Sequence, residues 1–427
     1  MAVAFVNYLI GILIDRYPAY SRIFVGAGII FSIMVLGYYR YTRFFLFNVN
    51  KYFHMDLSIP EIVRPIGLSF YIFQGLSYII DVYRYKNNRY QGNEKLCGCP
   101  VQKNFFKLLL YISLFPQLIA GPIVRYKQIE KQIEQRSYSW QQFSYGIERF
   151  IWGLAKKVAI ADTLAIAADK IFLMDESYLS FSVAWIGAIC YTLQIYFDFS
   201  GYSDMAIGLG KLFGFTFSEN FDAPYHARSI TEFWRRWHIS LSSWFRDYVY
   251  IPLGGSKKGN VYVHLFIVFV LTGIWHGASW NFIAWGIVYA CFIVMERFVM
   301  MKIKMPKLPV WVSPVRRIYT LLIVIFQWVM FRGITFHKAL SYWKTMVGLR
   351  HETFQPFAGR YYLNNQTIFI LVLAVLLTAL PFQKWVSRFR EHLSGEIVVK
   401  GLNVIVLLIC LLMIINNDYS PFIYFQF

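Results

Sequence analysis

The chain has 427 residues, of which 57% are hydrophobic, 20% aromatic and only 15% charged, and its mean hydropathy is +0.45. This composition excludes a soluble globular domain and a disordered chain, and it predicts an all-α protein that crosses a membrane several times. The formal net charge of +19 fits loops beside anionic lipid headgroups better than a nucleic-acid surface, although a cytosolic anionic ligand could also use it.

Apolar stretches long enough to cross a bilayer recur along the whole chain. A window of about 20 residues predicts roughly ten spans. They cover residues 23–40, 62–82, 104–122, 144–169, 181–198, 262–280, 281–298, 315–333, 364–383 and 397–416. No connection between them is typical of a separate soluble domain, and the distribution of Lys and Arg does not resolve the orientation in the membrane.

The segment Tyr196–Met205 places Asp198 and Asp204 directly after a predicted span. The pattern indicates a re-entrant or broken helix before the short apolar piece 206–215. Two carboxylates at this depth orient a catalytic ring, bind a cation, or form ion pairs with the arginines of the next helix. We favour the ion pair for Asp204 and leave the role of Asp198 open.

The next segment, Phe233–Tyr248, is too polar to cross lipid, and its period predicts one amphipathic helix. The apolar face holds Phe233, Trp234, Trp237, Leu241, Trp244, Phe245 and Tyr248, and the polar face holds Arg235, Arg236, His238, Ser242, Ser243 and Arg246. Such a helix either lies in the headgroup plane as an anchor or lines a passage inside the protein.

A glycine-rich basic loop follows this predicted helix. Pro252 ends the helix, and the loop then offers two adjacent glycines with Lys257 and Lys258. Backbone of this kind with basic side chains can contact phosphates, but the loop is not a P-loop, and lysines that face lipid headgroups are the equally simple interpretation.

His276 is centred in the run 265–290, which contains no Asp, Glu, Lys or Arg. A titratable ring at membrane depth is costly unless it faces a cavity, so it marks a site of chemistry or conduction. The alternative is a structural histidine hydrogen-bonded between helices. The sequence has no metal-binding motif, and we interpret its five cysteines as structural. It therefore predicts no metal site.

The order of these motifs resembles the membrane-bound O-acyltransferase family, in particular the bacterial branch that includes alginate O-acetyltransferase. The motifs that carry the resemblance are Gly67–Gln74 with Tyr78 and Asp81–Arg84, Gly121–Arg125, Tyr196–Asp204, Ser229–His238 through Gly255, Trp275–Gly277 and Ser420–Phe427. They cover nearly the whole chain. Such proteins usually begin with one or two further apolar helices, so the resemblance implies a single transmembrane domain, 1–427, that lacks them.

The resemblance also implies a fold and residue roles. It implies roughly ten transmembrane helices plus re-entrant or interfacial helices around a tunnel. His276 corresponds to the family's intramembrane catalytic histidine, cast as the base, and His238 to the second active-site position. Weaker candidates for the acyl donor are Arg235, Arg236, Arg246, Lys257 and Lys258. Weaker candidates for the tunnel or for orienting groups are Asp198, Tyr202, Ser242 and Trp275.

The implied reaction moves an acetyl group from cytosolic acetyl-coenzyme A across the bacterial cytoplasmic (inner) membrane to hydroxyls of an extracytoplasmic polysaccharide. No permanently bound cofactor is expected. A serine-hydrolase-like partner outside the membrane is expected to complete the transfer, because the chain has no nucleophile elbow of its own. Two alternatives stay open: D-alanyl transfer to teichoic acid, or a transporter or flippase in which His276 and Asp198 form a proton relay.

Overall fold

The computed structural model describes residues 1–87, 96–119, 121–302, 312–333, 335–350, 359–380 and 393–416, together with Arg388 and Phe422. Within these residues the chain is helical and contains no strand, as the composition predicted. The α-helices are α1 (Ala2–Arg16), α2 (Ser21–Leu36), α3 (Thr42–Phe53), α4 (Leu68–Lys86), α5 (Phe105–Ser113), α6 (Phe115–Leu118), α7 (Tyr126–Glu134), α8 (Trp140–Ala155), α9 (Asp162–Phe172), α10 (Phe181–Leu212), α11 (Ile230–Arg236), α12 (Ile239–Phe245), α13 (Val261–His276), α14 (Trp280–Lys302), α15 (Ser313–Arg332), α16 (Phe336–Met346), α17 (Gly359–Tyr362), α18 (Asn365–Ala379) and α19 (Leu393–Asn416).

Three wider π-helical turns interrupt these helices, at Gly37–Tyr41, Lys156–Ala161 and Arg246–Tyr250. Turns of this type re-aim side chains and are frequent at functional sites. Each of the three carries basic side chains. Two of them lie inside predicted spans or at their ends, and the third overlaps the end of the predicted amphipathic segment, at residues 246–248.

Four helices in the described residues are long and apolar enough to cross a membrane. They are Pro18–Phe53, Trp280–Met301, Ser313–Arg332 and Gly395–Asn416, and they coincide with four of the predicted spans. Two shorter apolar helices, α13 and α18, correspond to two more. The total of roughly ten crossings stays a prediction.

The predicted span 104–122 is wrong as a single helix. Helix α5 ends at Ser113, Leu114 is extended, and Pro116 lies in the first turn of the four-residue helix α6. Proline has no N–H to donate and is tolerated only at a helix start, so the apolar run divides here. The division brings Gln117 inward, where its Nε2 donates to the carbonyl oxygen of Tyr111 at 2.9 Å.

The predicted break near Asp198 and Asp204 is also wrong, because α10 runs without interruption through both residues. Glycines let the backbones of α8 and α10 touch: a Cβ on Gly153 would lie 2.6 Å from the carbonyl oxygen of Gly201. Small residues at such a crossing allow close helix packing within a membrane. The adjacent π-turn then supplies cations to both carboxylates, so neither carboxylate requires a helix end.

The single amphipathic helix predicted for Phe233–Tyr248 is in fact two short helices, α11 and α12. His238 separates them with a left-handed backbone, φ 44° and ψ 56°. The break is stabilised from outside, because the backbone N–H of Ile239 donates to the carbonyl oxygen of Asn220 at 2.9 Å. As a result His238 is 1% exposed and does not lie on a polar face.

The two ends of helix α13 mark two parts of the site: the loop end, next to the basic loop, and the inner end, at His276. The helix begins after the basic loop and ends at His276, and α14 then returns from Trp280 toward the loop end, where Met301 accepts a hydrogen bond from Tyr262. The segment from α11 to Tyr250 forms a re-entrant hairpin with His238 at its tip. Ile230 contacts Glu296 at the loop end, and the His238 ring approaches Trp275 at the inner end.

Candidate active site

His276 is the last residue of α13 and is 7% exposed. Three aromatic rings surround its imidazole: Trp275 and Trp285 at 4.9 Å between centroids, and Phe331 at 5.1 Å. Among the residues that the structure describes, its Nε2 atom has no hydrogen-bond partner. A structural histidine between helices would be expected to use this atom, so the surroundings favour a chemical role.

Asn220 holds His238 in its left-handed turn. Its Oδ1 accepts hydrogen bonds from the backbone N–H and the hydroxyl of Ser240, at 3.2 and 2.8 Å, and lies 3.1 Å from Nδ1 of His238. Because a carbonyl oxygen can only accept, this contact assigns the ring proton to Nδ1 in the neutral imidazole. Nε2 of His238 is then the basic nitrogen.

Trp275 contacts both imidazoles. Its ring centroid is 4.9 Å from that of His276 and 6.2 Å from that of His238. Behind it, Phe73 stacks on Trp275 at 5.5 Å and on Trp244 of the hairpin at 3.9 Å. The structure therefore brings together the two predicted catalytic histidines and one predicted tunnel residue, and aromatic packing fixes their relative positions.

The five candidate residues for the acyl donor differ in their exposure and in their ion pairs. Lys257 and Lys258 are exposed in a turn that contains three positive-φ glycines, and both backbone N–H groups donate to the carbonyl oxygen of Gly254. Arg235 is exposed. Arg236 is paired with Asp222 and Glu232 at 3.2 and 3.1 Å.

Arg246 connects the donor candidates to a buried charged cluster. Its Nε donates to Asp247 at 2.7 Å, and Asp247 also pairs with Arg125 at 2.5 Å. Arg84 donates to the backbone oxygen of Asp247 at 2.6 Å. Asp81 accepts a hydrogen bond from Tyr248 at 2.7 Å, and the guanidinium groups of Arg84 and Arg125 lie over the Tyr248 ring.

This cluster beneath the basic loop was not predicted, although its residues stand in three of the motifs that carry the family resemblance. The available signal was charge: Asp81, Arg84 and Arg125 flank apolar segments, where unpaired charges are disfavoured. The sequence alone could not show which of these charged residues pair with one another. Asn220 and Glu296 were missed for the same reason, since each acts on a residue far away in sequence.

Of the remaining tunnel candidates, Asp198 and Tyr202 lie on α10 and Ser242 lies on α12, four residues after His238. Asp198 forms an ion pair with Lys157 at 2.8 Å, and the ring of Tyr202 contacts Phe422 at 4.9 Å between centroids. Ser242 is half-buried on α12 and begins that helix by donating its backbone N–H to the carbonyl oxygen of His238. The final motif, 420–427, lies outside the described residues except for Phe422.

A small cavity lies at the C-terminal end of α15, between the end of α9, the segment 173–179 that follows it, and α16. Arg332, Lys338 and Glu176 contribute its charged lining, and Phe172 and Tyr342 contribute aromatic lining. Neither histidine lines it. The predicted tunnel to the histidine pair therefore stays a prediction.

Comparison with known proteins agrees with this architecture. The model of MBOAT, the membrane-bound O-acyltransferase family, matches residues 100–343, which include the hairpin and both histidines. The helices and this match define a membrane-bound enzyme of the O-acyltransferase class. The chain belongs to the membrane-bound O-acyltransferase family.

Three relatives indicate how far the similarity extends. The chain is 37% identical to the probable alginate O-acetylase AlgI of Pseudomonas putida, over 99% of this chain and 88% of the relative. It is 36% identical to the peptidoglycan O-acetyltransferase of Helicobacter pylori, over 80% of this chain and 68% of the relative. It is 28% identical to the teichoic acid D-alanyltransferase of Bacillus subtilis, over 65% of this chain and 71% of the relative.

Proposed function

We propose that this protein transfers an acetyl group from acetyl-coenzyme A to a hydroxyl group on the path to an extracytoplasmic polysaccharide, with His276 and His238 as its catalytic residues. The observation that carries the proposal is the pair of buried imidazoles that both lie near the Trp275 ring. Such rings have a free-solution pKa near neutrality and are suited to general base catalysis.

Transfer of an acetyl group from a thioester requires one proton to move. The acceptor hydroxyl attacks the thioester carbonyl and forms a C–O bond, and its proton passes to a basic imidazole nitrogen. The C–S bond then breaks, and the leaving thiolate takes the proton back. We assign the base to His276, whose Nε2 lacks a described partner, and the positioning of the acceptor to His238, because its unprotonated Nε2 can accept a hydrogen bond from a hydroxyl but cannot donate one to a carbonyl.

The loop end of α13 is proposed to bind the donor. Lys257, Lys258 and the exposed side of Arg246 offer positive charge to the phosphates of coenzyme A, and Arg235 and Arg236 extend that charge. Helix α13 separates this loop from His276 by about 22 Å at 1.5 Å per residue. Only an extended, narrow arm such as that of coenzyme A could carry the thioester from one end to the other.

The acceptor is proposed to reach the histidines from the opposite face. The relatives named for O-acetylation are 36% and 37% identical to this chain, whereas the D-alanyltransferase is 28% identical, which favours acetyl transfer over D-alanyl transfer. We place the protein in the bacterial cytoplasmic membrane as a single domain. A serine-hydrolase-like partner outside the membrane is proposed to pass the group to the polysaccharide.

Labelled acetyl-coenzyme A tests the proposal. Purified protein should transfer label to a hydroxyl acceptor or to a partner serine, and His276→Ala should lower turnover by about 10²- to 10⁴-fold, because a general base contributes that much. His337→Ala, which changes an exposed histidine on α16, is the matched control and should retain activity. Label transfer that survives in His276→Ala would contradict the assignment.

A transporter or flippase is the competing function. In that case His276→Ala would abolish export of a polymer precursor, and no label from acetyl-coenzyme A would reach any acceptor. The same preparation distinguishes the two functions when label and exported polymer are both measured.

A further inference from the structure

The helix Pro18–Phe53, which contains α2, the π-turn Gly37–Tyr41 and α3, packs one face against the turn that carries His276. The guanidinium of Arg40 donates to the backbone carbonyl oxygen of His276, and the hydroxyl of Tyr41 donates to that of Ile274 at 2.5 Å. One turn further along, Phe44 packs edge-on against Trp280, with 5.6 Å between the ring centroids. One turn beyond that, Asn48 accepts a hydrogen bond from the Trp280 indole at 2.9 Å. The contacts therefore reach Ile274, His276 and Trp280, before, at and after the end of α13.

The end of α13 explains why an arginine is placed there. The last four carbonyl groups of an α-helix lack partners within the helix, and the end carries partial negative charge. Gly277 donates only weakly back to Ile274, at 3.3 Å, and then leaves the helix in extended backbone. Arg40 and Tyr41 therefore provide the capping donors that the chain after His276 does not provide.

Arg40 is itself fixed from a third element. Its other terminal nitrogen donates to the hydroxyl of Ser69 at the start of α4, at 2.5 Å. Arg40 and Tyr41 belong to the π-turn Gly37–Tyr41. A charged side chain in the middle of a 36-residue apolar helix is costly, and it is retained where it forms a specific polar contact.

We infer that Arg40 is a positioning residue for acyl transfer: by binding the backbone carbonyl of His276 while it is held by Ser69, it fixes the turn from which the imidazole projects. The inference rests on the proposed catalytic role of His276. Because His276 is the terminal residue of its helix, its side chain moves whenever this turn moves. A displacement of about 1 Å in a catalytic group can lower turnover by about 10²-fold.

Two graded variants and a matched control test the inference in purified full-length protein. Arg40→Gln should lower kcat by about 10- to 100-fold and leave the KM for acetyl-coenzyme A within about twofold. Arg40→Lys, which keeps a charged donor, should recover part of that loss. Arg43→Gln removes an exposed arginine three residues further along the same helix and should behave as the unmodified protein.

Hydrogen exchange gives a second readout that does not depend on activity. Amides of residues 277–280 should exchange faster in Arg40→Gln than in Arg43→Gln, because the turn has lost its cap. Tyr41→Phe removes one hydroxyl without altering the apolar packing and should give a smaller increase.

These outcomes distinguish a failure of the proposed function from a failure of the positioning role of Arg40. If His276→Ala keeps full activity, the proposed function fails, and faster exchange in Arg40→Gln would still show that Arg40 fixes the turn. If His276→Ala is inactive but Arg40→Gln keeps both its kcat and its exchange protection, the positioning role is overturned. A loss of kcat in Arg40→Gln with no recovery in Arg40→Lys and unchanged exchange would also overturn it.

Discussion

The histidine pair and the carboxylate pair are both polar groups in predicted membrane segments, yet the fold treats them differently. Asp204 is paired with Arg149 and Lys156 at 2.6 and 2.5 Å, and Asp198 with Lys157 at 2.8 Å. His238 and His276 are instead surrounded by aromatic rings. Both regions were candidate sites from the sequence.

The difference follows from charge. Burying an ionised carboxylate without a cation nearby costs much free energy, so Asp198 and Asp204 are stable here because Lys156, Lys157 and Arg149 pair with them. An imidazole can be buried in its neutral form, which is also the form that accepts a proton. A buried polar group that is fully paired is therefore best explained by structure, whereas one that retains an unused basic nitrogen is a candidate for chemistry.

After His276→Ala, the largest effect should come from His238→Asn. Asparagine tolerates the left-handed backbone at this position, so the hairpin should keep its shape while the ring is lost. We expect turnover to fall by about 10²-fold or more in the labelled-transfer assay. The control is His54→Asn, an exposed histidine with a similar φ of 54°, which should retain activity. Equal losses in both variants would show that backbone strain, not the imidazole, is responsible.

The carboxylate region should respond in stability instead. Asp198→Asn removes one of the two carboxylates, those of Asp198 and Asp162, that pair with Lys157, whose side chain is 7% exposed. We expect the free energy of unfolding to fall by about 3 kcal/mol, as when a buried pair loses one partner. Denaturation in mixed micelles measures this change. Asp222→Asn, in an exposed pair with Arg236, should cost less than about 1 kcal/mol.

Turnover per folded molecule decides whether Asp198 belongs with the histidines. We expect it to change less than threefold in Asp198→Asn, as for a purely structural residue. A loss as large as that of His238→Asn in protein that is still folded would place Asp198 in the reaction and would weaken the comparison.

Glu296 connects the hairpin to α14. Its carboxylate accepts hydrogen bonds from the backbone N–H groups of Ile230 and Thr231, at 2.7 and 3.0 Å, and from the Thr231 hydroxyl at 2.8 Å. Glu296→Gln keeps the shape but removes the charge and one acceptor oxygen. We expect a loss of about 1–3 kcal/mol in the free energy of unfolding. Glu396→Gln, in an exposed pair with Lys400, should change stability by less than about 1 kcal/mol.

The smallest effect should come from the basic loop. Replacing Lys257 and Lys258 together by Gln should raise the KM for acetyl-coenzyme A by about twofold to tenfold and leave kcat nearly unchanged, because exposed ionic contacts contribute modestly. Changing Lys51 and Lys103 to Gln removes the same charge from other exposed positions and should not alter KM. Equal KM values in both double variants would return the loop lysines to contact with lipid.

The sequence by itself determined the all-helical membrane class and pointed to His276, because composition and an uncharged apolar run are local properties that need no fold. His238 was indicated only by the resemblance to the family. The sequence could not determine that Phe233–Tyr248 divides at His238. That break depends on Asn220, which is distant in the chain and supplies the hydrogen bonds that a continuous helix would have used.

The sequence by itself also could not show which groups pair with the buried charged residues or cap the helix end. Asp198 and Asp204 are paired by cations on α8 and on the π-turn that follows it, and α10 continues through both carboxylates. The cap on His276 comes from Arg40, 236 residues earlier in the chain. Only the tertiary structure brings these groups together, because a buried charge or an open helix end is satisfied by whatever element packs against it.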